Sequence, residues 1–168
     1  MISQKLQDAF NLQINKEFFS EYFYLAMAAW FDKENLSGFA NFFKIQVQEE
    51  RFHAMKMYDF LSERGGKLIL EDIAKPQIDF ESPLEVFELA YEHEKFVSKS
   101  INELMDVAYD ERDYATQSFL NWFIDEQVEE EASMDMIVAK LKMLGGNGHG
   151  LLMIDKDLSG RVFNPPVK

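Results

Sequence analysis

Glu17, Glu50, Glu94 and Glu130 each interrupt a seam of apolar residues. The first seam runs Phe10, Ile14, Glu17, Glu21, Tyr24, Ala28, Phe31, and the second Phe39, Phe43, Gln46, Glu50, His53, Met57, Phe60. The third runs Leu84, Phe87, Tyr91, Glu94, Ser98, Ile101, Met105, and the fourth Leu120, Phe123, Gln127, Glu130, Met134, Ile137, Leu141. Steps of three and four residues make the stripe that a helix turns toward a bundle core. Carboxylates on such a stripe are buried, and an unpaired buried charge costs several kcal/mol. Four at one level also repel one another. Something positive has to sit among them, and a pair of metal ions is the simplest candidate.

The second seam adds Glu50-Arg51-Phe52-His53, a Glu-x-x-His motif. Spacing of i to i+3 puts both side chains on one helix face, able to grip one ion. Carboxylate oxygens with one imidazole suit iron or manganese and can also hold zinc. The fourth seam offers Gln127-Val128-Glu129-Glu130 where a symmetric site would repeat Glu-x-x-His, so two unequal metal positions are expected.

The elements that must position these groups are four helices, expected over about 4–32, 37–64, 83–110 and 113–144. Asn35 and Ser37 supply turn and cap residues before the second. Gly65-Gly66 ends the second, Ser82-Pro83 opens the third and Gly145-Gly146-Asn147-Gly148 stops the fourth. Leu151 to Leu158 forms a fifth, short helix, ended by Gly160 and Pro165-Pro166. Short joins make helices 1 and 2, and 3 and 4, antiparallel. The long segment from Lys67 to Glu81 can cross the length of the bundle, which would make helices 2 and 3 parallel. The four acids all fall near mid-helix, so they meet at mid-bundle whatever the direction of each helix. The expected architecture is a single all-α domain over 1–168, with a bundle over about 4–144 and a short helix and tail over 145–168.

With 168 residues, 47% of them apolar and 16 of them Phe, the chain has material for a real core and is not disordered. The net charge of −13 argues against nucleic acid or an anionic membrane as partner. The absence of cysteine excludes thiolate metal sites, disulfides and iron–sulfur clusters. The N-terminus has no apolar signal core, and the apolar run from Phe18 to Phe31 is too short to span a bilayer, so a cytoplasmic protein is expected. That run is apolar on nearly every side, where a lone four-helix bundle needs one stripe, so its outer face is expected to be buried between subunits.

Together these residues resemble the non-haem bacterial-type ferritins over essentially the whole length. Matching positions are Glu17, Tyr24, Glu50, His53, Glu94, Gln127 and Glu130, with Trp122 and the run Asp125-Glu126-Gln127-Val128-Glu129-Glu130-Glu131. The resemblance implies a first iron site at Glu17, Glu50 and His53. It implies a second at Glu94, Glu130 and nearby Gln127, bridged by Glu50, and a third at Glu49, Glu126, Glu129 and Glu130. It further implies a ferritin-like bundle with one long crossover in a homo-oligomeric cage of twenty-four subunits. The activity implied is oxidation of Fe(II) by dioxygen or peroxide, with storage of a ferric mineral. Haem is not expected, because Arg51 replaces the Met that binds it in bacterioferritins and the second Glu-x-x-His is missing. A rubrerythrin-type iron domain needs the absent cysteines. Gln117 and Leu120 stand where animal ferritins place the acids of their three-fold channels.

Several residues admit two readings. Tyr24 is either a core aromatic with a bonded hydroxyl or a donor to a ligand and one-electron source. Trp122 reads as packing. Glu49, Glu126 and Glu129 lie off the seam and form either a solvated acidic face or the third site. Glu21, one turn from Glu17, is an extra ligand or relay, or points away. His93 points about 100° from Glu94 on the helical period and is not expected to be a ligand. Two functional alternatives stand beside iron storage: a non-storage di-metal oxidase or peroxide reductase on the same bundle, and a helical scaffold with a redox-inert structural metal.

Overall fold

The structure, a computed structural model, describes residues 1–165. Among these it contains five α-helices and no strand: α1 (Gln4–Lys33), α2 (Ser37–Glu63), α3 (Pro83–Asp110), α4 (Tyr114–Leu144) and α5 (Gly148–Leu158). The four long helices begin and end within about two residues of the sequence expectation. Ser3, Ser82 and Asp113 cap α1, α3 and α4 through their side-chain oxygens. Gly145 closes α4 with φ 53°, a left-handed conformation in which a side chain would be strained.

Two ends differ from expectation. α2 has Leu36 at its N-cap with no side-chain cap of its own; Asn35 takes the left-handed turn and Ser37 is already helical. Asp155 of α5 caps it instead, its Oδ1 accepting from the Gly38 N at 2.8 Å and the Phe39 N at 3.0 Å. A long-range carboxylate thus meets the positive end of α2. A Cβ on Gly38 would come within 1.6 Å of the Asp155 carbonyl oxygen, so glycine there is a condition of α5 docking. α5 also starts three residues early: Asn147 caps it, and Gly148 opens it rather than closing α4. Leu151, Ile154 and Leu158 pack onto the core as a satellite. The expected stop at Pro165-Pro166 reaches Pro166, which lies outside the described residues.

The core consists of two apolar clusters with a polar layer between them. One holds Tyr24 to Phe31 of α1, Phe39 to Phe43 of α2, Val86 to Ala90 of α3 and Met134 to Leu141 of α4. The other holds Leu6 to Ile14, Met57 and Leu61, Val97 to Ala108, and Leu120 with Phe123. The start of α1 therefore lies level with the ends of α2 and α3, so α2 and α3 run parallel and α1 and α4 run against them. The crossover confirms this course. It is tied to one side of α1 by Gln7, Asn11 and Asn15, which bond the backbone of Lys67, Ile69 and Glu71. It reaches Phe80 against Trp30, ring centroids 5.9 Å apart, near the far end of α1. Among the described residues no helix is long and apolar enough to cross a membrane.

Candidate di-metal centre

Glu17, Gln46, Glu50, His53, Glu94, Gln127 and Glu130 are all buried in the layer between the two clusters. Each arrives by helix periodicity. Glu17 is one turn from Ile14, Glu50 and His53 lie on the stripe between Phe43 and Met57, and Gln127 and Glu130 on that between Phe123 and Met134.

Glu17, Glu50 and His53 form the tightest group. Their ligand atoms lie within 4.8 Å of one another, the one such trio of His, Cys, Asp and Glu found among the described residues. His53 Nδ1 is 3.6 Å from Glu50 Oε2 and 3.9 Å from Glu17 Oε2. Both of those oxygens are buried without a hydrogen-bond partner. Orphaned buried acceptors cost about 1–3 kcal/mol each, more if charged. Two of them facing one ring nitrogen are an acceptor set with nothing to accept, which is what a divalent cation satisfies.

The other side of the layer is closed by hydrogen bonds. Glu94 Oε1 accepts from the Tyr24 hydroxyl, and its Oε2 accepts from Gln127 Nε2 at 3.0 Å. Gln127 also reaches Ser98 Oγ at 3.3 Å. Glu130 Oε2 accepts from Gln46 Nε2 at 2.9 Å, while the other end of that amide, Gln46 Oε1, is unpartnered. The two sides of the centre are therefore unequal: one open, one latched by donors.

Crowding sets the electrostatics. Burial, then the neighbouring Glu94, Glu17 and Glu130, hold the Glu50 carboxyl well above its ordinary range. Burial and Glu130 push Glu94 up to about 8, against the opposing bonds from Tyr24 and Gln127. Burial and Glu94 raise the Tyr24 phenol well above its usual value. Burial and crowding therefore favour the protonated forms of Glu50 and Glu94 when no cation is bound, and a metal must displace those protons.

The off-seam residues are arranged differently. Glu21 does not belong to the layer; it turns outward to Arg51, whose Nη2 lies 2.7 Å from its Oε1, and Ser20 takes its place on the buried face. At about 100° per residue, positions 20 and 21 flank Glu17 on either side, so the helical period alone does not choose between them; the ion pair with Arg51 holds Glu21 outward. The sequence reading missed three features here. Gln13 is buried and gives Glu17 Oε1 a 2.7 Å hydrogen bond; a Gln one turn before a seam acid was its available signal. Arg161 of the C-terminal segment grips Glu49 Oε2 at 2.7 Å and lies over the Phe42 ring. Ser20 Oγ lies 2.8 Å from His93 Nε2. His93 is shut among Phe19, Phe23 and Tyr24, and burial lowers its pKa to about 4. Among the described residues it has no hydrogen bond or ion pair to the acids of the layer.

Glu126 is half-buried and Glu129 exposed, so neither joins Glu49 in a tight grip here. Burial leads in pushing Glu49 up to about 7, opposed by Arg161 and helped by Glu130 and Glu126, which puts these acids within electrostatic reach of one another. Trp122 packs edge-on to His53, centroids 5.6 Å apart, with Lys56 Nζ 4.7 Å above its ring, consistent with a packing role.

Comparison with known proteins agrees with this geometry. The ferritin-like domain family model matches residues 7–144. The bacterial non-heme ferritin of Staphylococcus epidermidis is 43% identical over 164 residues, covering 98% of this chain and 99% of that one. The Staphylococcus aureus protein of the same name is also 43% identical over the same shares. Among solved structures, a humanized archaeal ferritin superposes with TM-score 0.97 at 53% identity, covering 98% of this chain and 100% of that chain. An open-pore ferritin from the archaeon Archaeoglobus fulgidus gives 0.95 at 50% identity, over 96% and 100%. A bundle whose core is split by buried acids, matched in sequence and in backbone over nearly its full length, belongs to the ferritin family.

Proposed function

We propose that this chain oxidises Fe(II) to Fe(III) at the mid-bundle centre and stores the product as ferric mineral inside an oligomeric cage. The observation that carries the reading is the pair of orphaned oxygens, Glu17 Oε2 and Glu50 Oε2, facing His53 Nδ1. One Fe(II) is taken there. A second is taken between Glu50, Glu94, Gln127 and Glu130, with Glu50 shared. Tyr24, bonded to Glu94, stands where it can hold that ligand or supply one electron. Dioxygen or peroxide accepts an electron from each ion. The protein supplies binding, orientation and negative charge that favours the higher oxidation state; no acid–base pair is required. The whole chain, α5 included, acts as one domain.

Storage requires a cavity and therefore many copies. Tyr22 and Leu25 on α1 lie exposed, as do Ile69, Leu70 and Ile73 on the crossover, and Ile14 and Phe18 line a groove of about 290 Å³ with the crossover residues. Burying that face between subunits removes apolar area worth about 25 cal/mol per Å². Native mass spectrometry is expected to find a large closed oligomer, twenty-four copies on the family pattern. Aerobic loading is expected to leave far more iron per subunit than two or three bound ions. A monomer or dimer that oxidises iron and retains none would instead favour a non-storage di-metal oxidase.

A third iron position at Glu49, Glu126, Glu129 and Glu130 is supported by the family match and by their mutual electrostatic influence. Arg161 then competes with iron for Glu49. A pair of this exposure is worth on the order of 1 kcal/mol, or about five-fold in affinity. Arg161→Gln is expected to raise occupancy of the third position, and Glu126→Ala with Glu129→Ala to abolish it and change the iron-to-oxygen ratio. Equal ratios in parent and all variants would leave those acids as a solvated face.

A further inference from the structure

A second set of polar groups, with Gln13 and Ser100 buried and Lys16 partly so, bonds Glu17 through its Oε1. Lys16 Nζ donates to Ser100 Oγ, Ser100 Oγ donates to Gln13 Oε1, and Gln13 Nε2 donates to Glu17 Oε1 at 2.7 Å. Gln13 is 2% exposed and Ser100 4%. None of the three is a metal ligand. The chain links α1, which carries Gln13, Lys16 and Glu17, to α3, which carries Ser100.

Its polarity follows from its first member. An ammonium has hydrogens to give and no lone pair to accept with. Ser100 must therefore accept from Lys16, which leaves its own hydrogen for the Gln13 carbonyl. The amide is thereby oriented with its NH2 toward Glu17. Were it flipped, its oxygen would face a carboxylate. Every bond in the chain runs in one direction and ends on one oxygen of Glu17. The other oxygen, Oε2, is left free, and it is this atom that faces His53 Nδ1.

We propose that Gln13, oriented by Ser100 and Lys16, is the positioning residue for the first cation: it holds Glu17 Oε1 and so presents Oε2 as a single-oxygen ligand. This rests on the di-metal reading above. It also accounts for the inequality of the two sides. Glu17 is held by one oxygen and open at the other, whereas Glu94 is held at both.

The test is an anaerobic Co(II) titration of the assembled protein, followed by calorimetry and by the visible ligand-field bands of the ion. In the parent, two successive binding steps are expected. Gln13→Met and Ser100→Ala should weaken the first step about ten-fold or more, the range for losing a hydrogen bond to a metal ligand, and alter its band intensity. The second step should be unchanged. Ser100→Thr keeps the hydroxyl, and the groove of about 180 Å³ beside it has room for the methyl, so it should restore the parent's first step. Parental first-step affinity in both Gln13→Met and Ser100→Ala would overturn the proposal. So would equal weakening of both steps together with a lowered melting temperature, the mark of a merely loosened core. A parent that binds no Co(II) would fail the di-metal reading itself.

Discussion

Glu50→Ala is expected to abolish the fast phase of Fe(II) oxidation in stopped-flow measurements while the protein still folds. In the proposed function Glu50 serves both metal positions. Its carboxyl stands beside His53 and is influenced by Glu17, Glu94 and Glu130 alike. Losing a group that merely supports a ligand costs about 10–100-fold in affinity or activity, so losing a shared ligand should cost more than about 100-fold. The fold should survive for a specific reason. Burial and like-charged neighbours hold the Glu50 carboxyl above its ordinary range, so the cation-free core loses no net stabilising charge when it is removed. His53→Ala should slow the reaction comparably but leaves a cavity against Trp122 and Phe123, with a stability cost of a few kcal/mol. Parental rates in both variants would place the chemistry elsewhere.

How much of this was legible in the sequence varies with the range of the interactions. Helix extents, the crossover and the mid-bundle meeting of Glu17, Glu50, His53, Glu94, Gln127 and Glu130 follow from periodicity and loop length, which are local. Of the readings open for Glu21, the one in which it points away holds, because Arg51 draws the carboxylate outward, a contact between α1 and α2 that periodicity does not carry. The cap of α2 failed because its capping oxygen comes from Asp155, more than a hundred residues away. Arg161 on Glu49 belongs to the same class: a contact between α2 and a segment with no periodic pattern. Gln13 was not read as buried or as a donor, because it lies beside the seam and its orientation depends on Ser100 across the α1–α3 interface. Local pattern placed the buried acids; apart from Gln13, one turn from Glu17, the side chains that bond them come from other helices.

Stability without metal is expected to fall as pH rises from about 5 to above 8, and a bound divalent cation should remove most of that fall. The sign follows from the direction of the shifts. Glu94 titrates at about 8 in the folded state against 4.5 as the ordinary value, and Glu50 is raised as well. A carboxyl with a raised folded pKa contributes stability that is complete below its unfolded pKa and is lost as pH climbs through the folded one. Each fully buried group raised this far can cost on the order of several kcal/mol across that window. Glu49, raised to about 7 but one-fifth exposed, adds a smaller share in the same direction. Asp113, held at about 2 chiefly by its hydrogen bond from Arg64, acts only in acid and leaves this range untouched. A cation replaces the protons and neutralises the layer, so metal binding should release protons and tighten as pH rises. Melting curves of metal-free and Zn(II)-loaded protein should therefore diverge with pH, with a small gap near pH 5 and a large one near pH 8. Glu94→Gln removes one titrating group and should flatten the metal-free slope. A gap that stays constant across the range would mean that the buried acids do not hold protons in the absence of metal, and that the layer is stabilised in some other way.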